Sequence, residues 1–182
     1  KLDDHVLPIG KARIARAARG AEAQRVALVA LPERSITGYG CEDAFHSRGT
    51  VLESWRILQA ILPETHGIAV ALGLPIMHRG VLYNAAAMLA DGAVIGLVAK
   101  RFLAGDGIHY EPRWFKPWPA GKHIQWKHDG KSYPLGDLLF EIGGLRVPEI
   151  SAELGLGFDT VRTAMVDLLR DFAVTTANAE AE

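Results

Sequence analysis

The sequence predicts an α/β fold with a mixed sheet. Three observations predict it: short apolar runs alternate with segments of helical periodicity, an Asp-Gly dipeptide separates two apolar stretches, and the composition is that of a globular protein. The 182 residues are 49% hydrophobic and 23% charged. This balance supports a buried core and excludes wholesale disorder.

Helix and strand signals alternate through the first half of the chain. Residues 11–24 and 51–62 carry apolar side chains at helical spacing, so both segments are predicted helices. Residues 25–31 form a short apolar run that stops before Pro32, and residues 68–75 form another. Such runs are typical of buried strands, because both faces of the strand are then covered.

The next segments predict a hairpin, a long loop and a further strand. Asp91-Gly92 tolerates positive φ at both turn positions, so residues 82–89 and 94–99 are expected to pair as antiparallel strands. Residues 101–135 are rich in glycine, proline and aromatic residues and show no period. We expect them to form an ordered functional loop, and residues 138–147 to form a strand.

Charge and composition change near Pro148. Residues 148–182 carry seven acidic and two basic side chains, a net charge of −5, whereas residues 1–147 carry 14 acidic and 18 basic ones, a net charge of +4. Glycine stops at Gly157, and helical signals dominate beyond it. The sequence therefore predicts a domain over residues 1–147 and a helical tail over residues 148–182.

Several classes of site and partner are not expected. The net charge of −1 argues against nucleic-acid or membrane-surface binding. One Cys excludes an intrachain disulfide and a Cys-rich zinc site, and the spacing of the seven His residues does not indicate a metal site. No apolar run approaches the roughly 20 residues of a membrane span, and no signal peptide is evident, so a cytoplasmic location is expected.

Two ionisable residues stand where buried strands are predicted to end. Glu33 follows the strand at 25–31, and Lys100 ends the strand at 94–99. Active sites of α/β proteins collect at such ends, so Glu33 is a candidate general base and Lys100 a candidate for stabilising an oxyanion. The alternatives are an exposed loop glutamate and a surface lysine. Glu111 is a third candidate, with a structural ion pair to Arg113 as its alternative.

Three blocks of sequence resemble one known family. They are Leu31-Pro32-Glu33 continuing to residue 45, residues 74–86, and residues 99–115, which end in Tyr110-Glu111-Pro112-Arg113-Trp114-Phe115. In this order they resemble the glutaminase domain of glutamine-dependent NAD synthetases, within the nitrilase (carbon–nitrogen hydrolase) superfamily. The resemblance implies the N-terminal portion of an α-β-β-α sandwich over residues 1–147.

The resemblance also implies roles for particular residues. Glu33 would be the general base, Lys100 the cation that stabilises the tetrahedral intermediate, Glu111 the second glutamate that orients the site, and Tyr110 a substrate-pocket residue. The substrate would be glutamine. The glutaminase part would need no cofactor and no metal, whereas ATP and Mg belong to the synthetase domain, which this sequence lacks. That domain would be a partner, and a homo-oligomer is possible within the superfamily.

The sequence departs from the family at the nucleophile. The family's nucleophilic Cys would follow the strand that ends at Val147, but no Cys stands there. Cys41 lies in the first block, where the family has no nucleophile, and we expect it to be a buried packing thiol. The resemblance therefore predicts a glutamine amidohydrolase that is inactive in this chain alone.

The sequence leaves two other functional hypotheses open. The chain could be a non-catalytic pseudoenzyme, or a truncated or fused gene product, because the nucleophile is missing. It could instead be a regulator, because residues 147–162 resemble a helix-turn-helix. The acidic tail argues against DNA binding, since contacts with the DNA phosphates need Lys and Arg side chains.

Overall fold

The computed structural model describes residues 6–23, 28–105 and 110–140. Helices and strands alternate along the described chain, as the sequence predicts. The three α-helices are α1 (Val6–Ala23), α2 (Arg48–Ile61) and the single turn α3 (Glu111–Trp114), and the strands are β1 (Leu28–Ala30), β2 (Ala69–His78), β3 (Val81–Ala90), β4 (Ala93–Ala99), β5 (His123–His128) and β6 (Lys131–Gly136). Two 3₁₀ segments, Tyr39–His46 and Leu62–Thr65, flank α2.

The six strands of the described residues form one mixed sheet in the order β1-β2-β3-β4-β6-β5. Strand β1 is parallel to β2, and β3 pairs antiparallel with both β2 and β4. Strand β4 is parallel to β6, which pairs antiparallel with β5. The predicted α/β class with a mixed sheet is confirmed.

Three hairpins share one turn chemistry. Asp91 and Gly92 have φ of 46° and 75°, which confirms the hairpin predicted between β3 and β4. Arg79-Gly80 and Asp129-Gly130 also combine two positive φ values, and they join β2 to β3 and β5 to β6. Such turns match the right-handed twist of the strands that they connect.

The prediction of an irregular loop over residues 101–135 is wrong in its second half. Strands β5 and β6 lie there, with Asp129-Gly130 as their turn, and α3 lies upstream. Exposed polar side chains alternate with apolar ones along β5, the edge strand, and exposed Lys131 and Ser132 begin β6, so a search for apolar runs misses both strands. Residues 138–140 are irregular, and the remainder of the strand predicted at 138–147 lies outside the described residues, as does the predicted tail at 148–182.

The main core lies between one face of the sheet and the helices α1 and α2. Strand β2 contributes alternate residues to this core, as the two-residue period of a strand requires. The helices contribute residues spaced three or four apart. The side chains concerned are Ile14 and Ala18 of α1, Trp55, Leu58 and Ile61 of α2, and Val70, Leu72, Leu74 and Ile76 of β2. No helix among the described residues is long and apolar enough to cross a membrane.

The segment that follows β1 rests on a glycine of β2. The Ser35 hydroxyl accepts a hydrogen bond from the Gly73 N–H at 3.1 Å, and the Ile36 N–H donates to the Gly73 carbonyl at 3.4 Å. A Cβ at Gly73 would lie 3.0 Å from the Glu33 carbonyl carbon and would meet the Arg34 nitrogen. Arg34 has a φ of 53°, a conformation that non-glycine residues rarely adopt. Gly73 therefore allows the backbone that presents Glu33.

We predict that Gly73→Ala destabilises the chain by about 1–3 kcal/mol, because the new methyl group overlaps backbone atoms that have no room to move. Urea denaturation would measure the change in the free energy of unfolding. Gly20→Ala is the matched control: nothing lies within 4 Å of its new Cβ, and Gly20 lies in α1. The control should stabilise the chain by up to about 1 kcal/mol. Equal changes in the free energy of unfolding for both variants would contradict the close approach of the Glu33–Arg34 backbone to Gly73.

Candidate active site

The sheet brings the ends of β1 and β4 to the same edge. These two strands point in the same direction, because β1 is parallel to β2 and two antiparallel pairings separate β2 from β4. Glu33 follows β1 by three residues, and Lys100 follows β4 directly. The Lys100 N–H donates to the Asn84 carbonyl at 2.8 Å, which extends the pairing of β4 with β3 to the site.

Lys100 lies at the centre of the site and is completely buried. Its Nζ lies 3.1 Å from Oε2 of Glu33 and 2.7 Å from Oε2 of Glu111. A buried ammonium group remains charged only when carboxylates compensate for the lost hydration. The structure thus excludes the alternative of a surface lysine, and it places the three predicted residues in one cluster.

Glu111 is also buried, with a side chain that is 1% exposed. Burial raises the pKa of Glu111, but hydrogen bonds with the Glu33 carboxyl, the Lys100 ammonium and the Ala104 N–H outweigh it, so the pKa lies below its usual value of 4.5. The Ala104 N–H donates to Oε2 at 2.7 Å, and the Glu111 N–H donates back to the Ala104 carbonyl at 3.1 Å. Glu111 is therefore ionised at neutral pH and held in one orientation.

Two further polar residues of the described chain join the cluster, and neither stands out from the sequence as a site residue. The Asn84 amide donates to Oε1 of Glu111 at 2.7 Å and also to Oε1 of Glu33. Arg34 lies 3.1 Å from Glu33 Oε1 through Nε and 3.3 Å from Glu111 Oε1 through Nη2. Asn84 could have been found as a polar residue within the apolar β3. Arg34 has no sequence signal, because an arginine after a strand is usually exposed.

Glu33 is held by this cluster rather than exposed to solvent. Its side chain is 7% exposed, and its contacts include Arg34, Asn84 and Lys100. The alternative of an exposed loop glutamate is therefore wrong. The carboxylate lies beside two cations, Arg34 and Lys100, where β1 and β4 end.

Arg113 does not pair with Glu111, which was the alternative considered for that glutamate. It forms a bidentate ion pair with Asp43, at 2.9 Å through Nε and 2.8 Å through Nη2, and the Trp114 indole donates to Asp43 at 3.0 Å. These bonds lower the pKa of Asp43, the indole contributing most. The contacts of Asp43 with Arg113 and Trp114 connect the 3₁₀ segment Tyr39–His46 to α3, whose first residue is Glu111.

Tyr110 and Cys41 lie at the border of the site. Tyr110 is 59% exposed, and its carbonyl accepts the Arg113 N–H at 3.0 Å. Its predicted role in a substrate pocket stays a prediction. Cys41 is buried, its thiol donates to the Thr37 carbonyl at 3.4 Å, and it packs in an apolar cluster with Phe45 and Phe115. These contacts are those of a packing thiol.

Within residues 6–23, 28–105 and 110–140, no group of three or more His, Cys, Asp or Glu side chains could hold a metal ion.

Comparison with known proteins identifies the family. The family model described as Carbon-nitrogen hydrolase matches residues 10–155. The chain belongs to the carbon–nitrogen hydrolase family. It is 40% identical over 89 residues to the glutamine-dependent NAD(+) synthetase of Saccharomyces cerevisiae. The matched segment covers 48% of this chain and 12% of the yeast protein. The chain thus spans about an eighth of the length of that relative.

Solved structures of the carbon–nitrogen hydrolase family confirm the nitrilase-like fold. The chain resembles the crystal structure of a glutamine-dependent NAD(+) synthetase from Cytophaga hutchinsonii with a TM-score of 0.73 and 34% identity, over 78% of this chain and 24% of that one. A carbon–nitrogen hydrolase from Helicobacter pylori G27 matches with a TM-score of 0.53 and 20% identity, over 64% of this chain and 42% of that one. The second likeness shows the fold alone.

We predict that Lys100→Met destabilises the chain by about 3–5 kcal/mol at pH 7, because it leaves two buried carboxylates without their shared cation. Urea denaturation would measure the loss. Lys127→Met, on the exposed face of β5, is the matched control and should change the free energy of unfolding by less than about 0.5 kcal/mol. A loss no larger than that of the control would show that Lys100 is not held as an ion pair.

We also predict that Glu111→Gln weakens the acid dependence of stability. A carboxyl whose pKa is lowered by folding stabilises the protein above its unfolded pKa, near 4.5, and this contribution is lost as the pH falls through the folded value. The wild type should therefore lose stability more steeply than Glu111→Gln below about pH 5. Unfolding free energies across this pH range measure the difference. Glu53→Gln removes a surface carboxylate that is paired with Arg56. This variant should lose stability below about pH 5 as steeply as the wild type.

Proposed function

We propose that the chain carries the base, the cation and the second carboxylate of a glutamine amidohydrolase that supplies ammonia for NAD synthesis. The convergence of Glu33 and Glu111 on the buried Lys100 is the observation that carries this proposal. The similarity to proteins named glutamine-dependent NAD(+) synthetases supports glutamine as the substrate. The synthetase domain would be the partner that uses the ammonia, and ATP and Mg²⁺ would act there.

Each residue has a task in amide hydrolysis. Glu33 would take the proton of the nucleophilic thiol and later the proton of the water that hydrolyses the thioester. The Lys100 ammonium would stabilise the oxyanion of each tetrahedral intermediate. Glu111 would keep Lys100 charged and oriented, since its Oε2 lies 2.7 Å from Nζ. Tyr110, next to Glu111, would contact the bound glutamine.

The thiol is the part of this mechanism that the chain does not provide. Cys41 is its one Cys. The Cys41 thiol donates to the Thr37 carbonyl and packs with Phe45 and Phe115, so it is committed to an apolar cluster. A nucleophile has to lie within hydrogen-bond reach of its base. We therefore propose that the 182-residue chain by itself does not hydrolyse glutamine.

A non-catalytic role is the second candidate, and the same observation favours it. A chain that keeps the Glu33, Lys100 and Glu111 cluster without a nucleophile could still bind glutamine. The regulatory alternative depends on residues 147–162, which lie outside the described residues, and it stays a prediction. Homo-oligomerisation likewise stays a prediction.

We predict that the chain releases no ammonia from glutamine above background but binds glutamine. Isothermal titration calorimetry would measure the binding, and a coupled dehydrogenase assay would measure ammonia. Lys100→Met should abolish binding, because it removes the cation from the cluster, whereas Lys127→Met should preserve it. Circular dichroism of both variants shows whether the fold is intact.

Two results would contradict these proposals in different ways. Ammonia release that Glu33→Gln abolishes would show that the chain is active by itself. An absence of glutamine binding by the folded wild type would argue against glutamine as the ligand of this site.

A further inference from the structure

Asn84 is a completely buried polar residue inside the apolar strand β3. Its neighbours in sequence, Tyr83 and Ala85, pack in the main core. Because side chains alternate between the faces of a sheet, the side chain of Asn84 lies on the opposite face. A buried amide is costly unless its polar atoms are paired, so its hydrogen bonds have to account for its presence there.

The backbone of Asn84 is held by both neighbouring strands. Asn84 stands opposite Pro75 in the register of β3 with β2, and its carbonyl accepts the Lys100 N–H at 2.8 Å on the side of β4. An asparagine side chain also has fewer rotatable bonds than that of glutamate or lysine, so less conformational freedom has to be removed to fix its end group. The sheet therefore fixes the position of the Asn84 amide.

The amide nitrogen of Asn84 uses both of its N–H groups on the site. It donates to Oε1 of Glu111 at 2.7 Å and to Oε1 of Glu33. A side-chain amide nitrogen carries two N–H donors, so each carboxyl receives one of them. Ionised and protonated carboxyl groups both contain an oxygen that can accept such a bond. The arrangement thus does not depend on how many protons the cluster binds.

The amide oxygen of Asn84 shows which half of the group matters. Oδ1 is buried, and no described residue donates a hydrogen bond to it. A buried acceptor without a partner is destabilising, and an apolar residue at this position would avoid that cost. The reversed amide would instead place Oδ1 against Oε1 of Glu33 and of Glu111. The two N–H bonds, rather than packing, therefore account for an amide at position 84.

The two oxygens of each carboxyl have different neighbours. Oε2 of Glu33 and Oε2 of Glu111 lie 3.1 Å and 2.7 Å from Lys100 Nζ, whereas both Oε1 atoms accept from Asn84. The last torsion of a glutamate side chain is soft, so a carboxyl plane needs a second contact to stay fixed. Arg34 also contacts both Oε1 atoms, but through a longer side chain on the segment after β1.

We propose that Asn84 is a positioning residue that holds the carboxyl planes of Glu33 and Glu111, so that both Oε2 atoms meet the Lys100 amine. The tasks of those three residues in amide hydrolysis rest on the proposed function. The positioning itself involves neither glutamine nor a nucleophile, so it can be tested separately.

Solution NMR of the isotope-labelled full chain tests the two hydrogen bonds. We expect the side-chain amide protons of Asn84 to exchange with water at least about tenfold more slowly than those of the exposed Gln125. Glu33→Gln should shift one of the two proton resonances more than the other, and Glu111→Gln should do the reverse, because each proton has its own acceptor. Exchange as fast as that of Gln125, or the same response to both variants, would overturn the proposal.

Crystal structures of two variants at neutral pH test the positioning. Asn84→Leu keeps the branched shape but removes both N–H groups, and Asn84→Asp keeps the shape but replaces the donor nitrogen with an acceptor oxygen. In each variant, at least one Oε2 atom should lose its hydrogen-bond contact with Lys100 Nζ. Ile76→Val, a substitution in the main core, is the control and should keep the contacts at 3.1 Å and 2.7 Å.

Persistence of both Oε2 contacts in Asn84→Leu and Asn84→Asp would overturn the proposal, because packing or Arg34 would then suffice to hold the carboxyls. If neither variant folds, the exchange rates of the wild-type amide protons decide. Failure of the proposed function would look different: the wild type would not bind glutamine, while its Asn84 amide protons would still be protected from exchange.

Discussion

The amine of Lys100 is completely buried, and the carboxylates of Glu33 and Glu111 supply the opposite charge that burial of an ammonium group requires. Each contributes one Oε2 atom within 3.1 Å of Nζ. The three residues come from the end of β4, the segment after β1, and the start of α3, so the ion cluster joins parts of the chain that are distant in sequence. Losing any partner would leave an uncompensated buried charge.

The sheet and its turns set the positions that this cluster requires. Strands β1 and β4 point in the same direction because the β2–β3 and β3–β4 hairpins reverse the chain twice between them. Gly73 lets the segment after β1 approach β2, which turns Glu33 and Arg34 toward Lys100. The packing of α1 and α2 on the sheet then fixes these strands relative to one another.

A second set of contacts holds the third residue of the cluster. Asp43 receives hydrogen bonds from Arg113 and Trp114, while Phe45 packs against Phe115 with ring centres 5.0 Å apart. All of these contacts join the 3₁₀ segment Tyr39–His46 to the last residues of α3 and to Phe115, which follows it. An exposed ion pair contributes little stability by itself. The combination with buried aromatic packing gives α3 a defined position despite its length of one turn.

The sequence by itself determined the α/β class, the helix at 51–62, the hairpin at Asp91-Gly92 and the candidates Glu33, Lys100 and Glu111, because periodicity, turn chemistry and the order of motifs are local properties. It missed β5, the edge strand, and β6, which lies between β4 and β5, because exposed polar side chains interrupt the apolar pattern of both. Arg34 and Asn84 were decided only by the tertiary structure. A charge becomes a site residue through the partners that surround it, and partners that are distant along the chain meet only when the sheet is assembled.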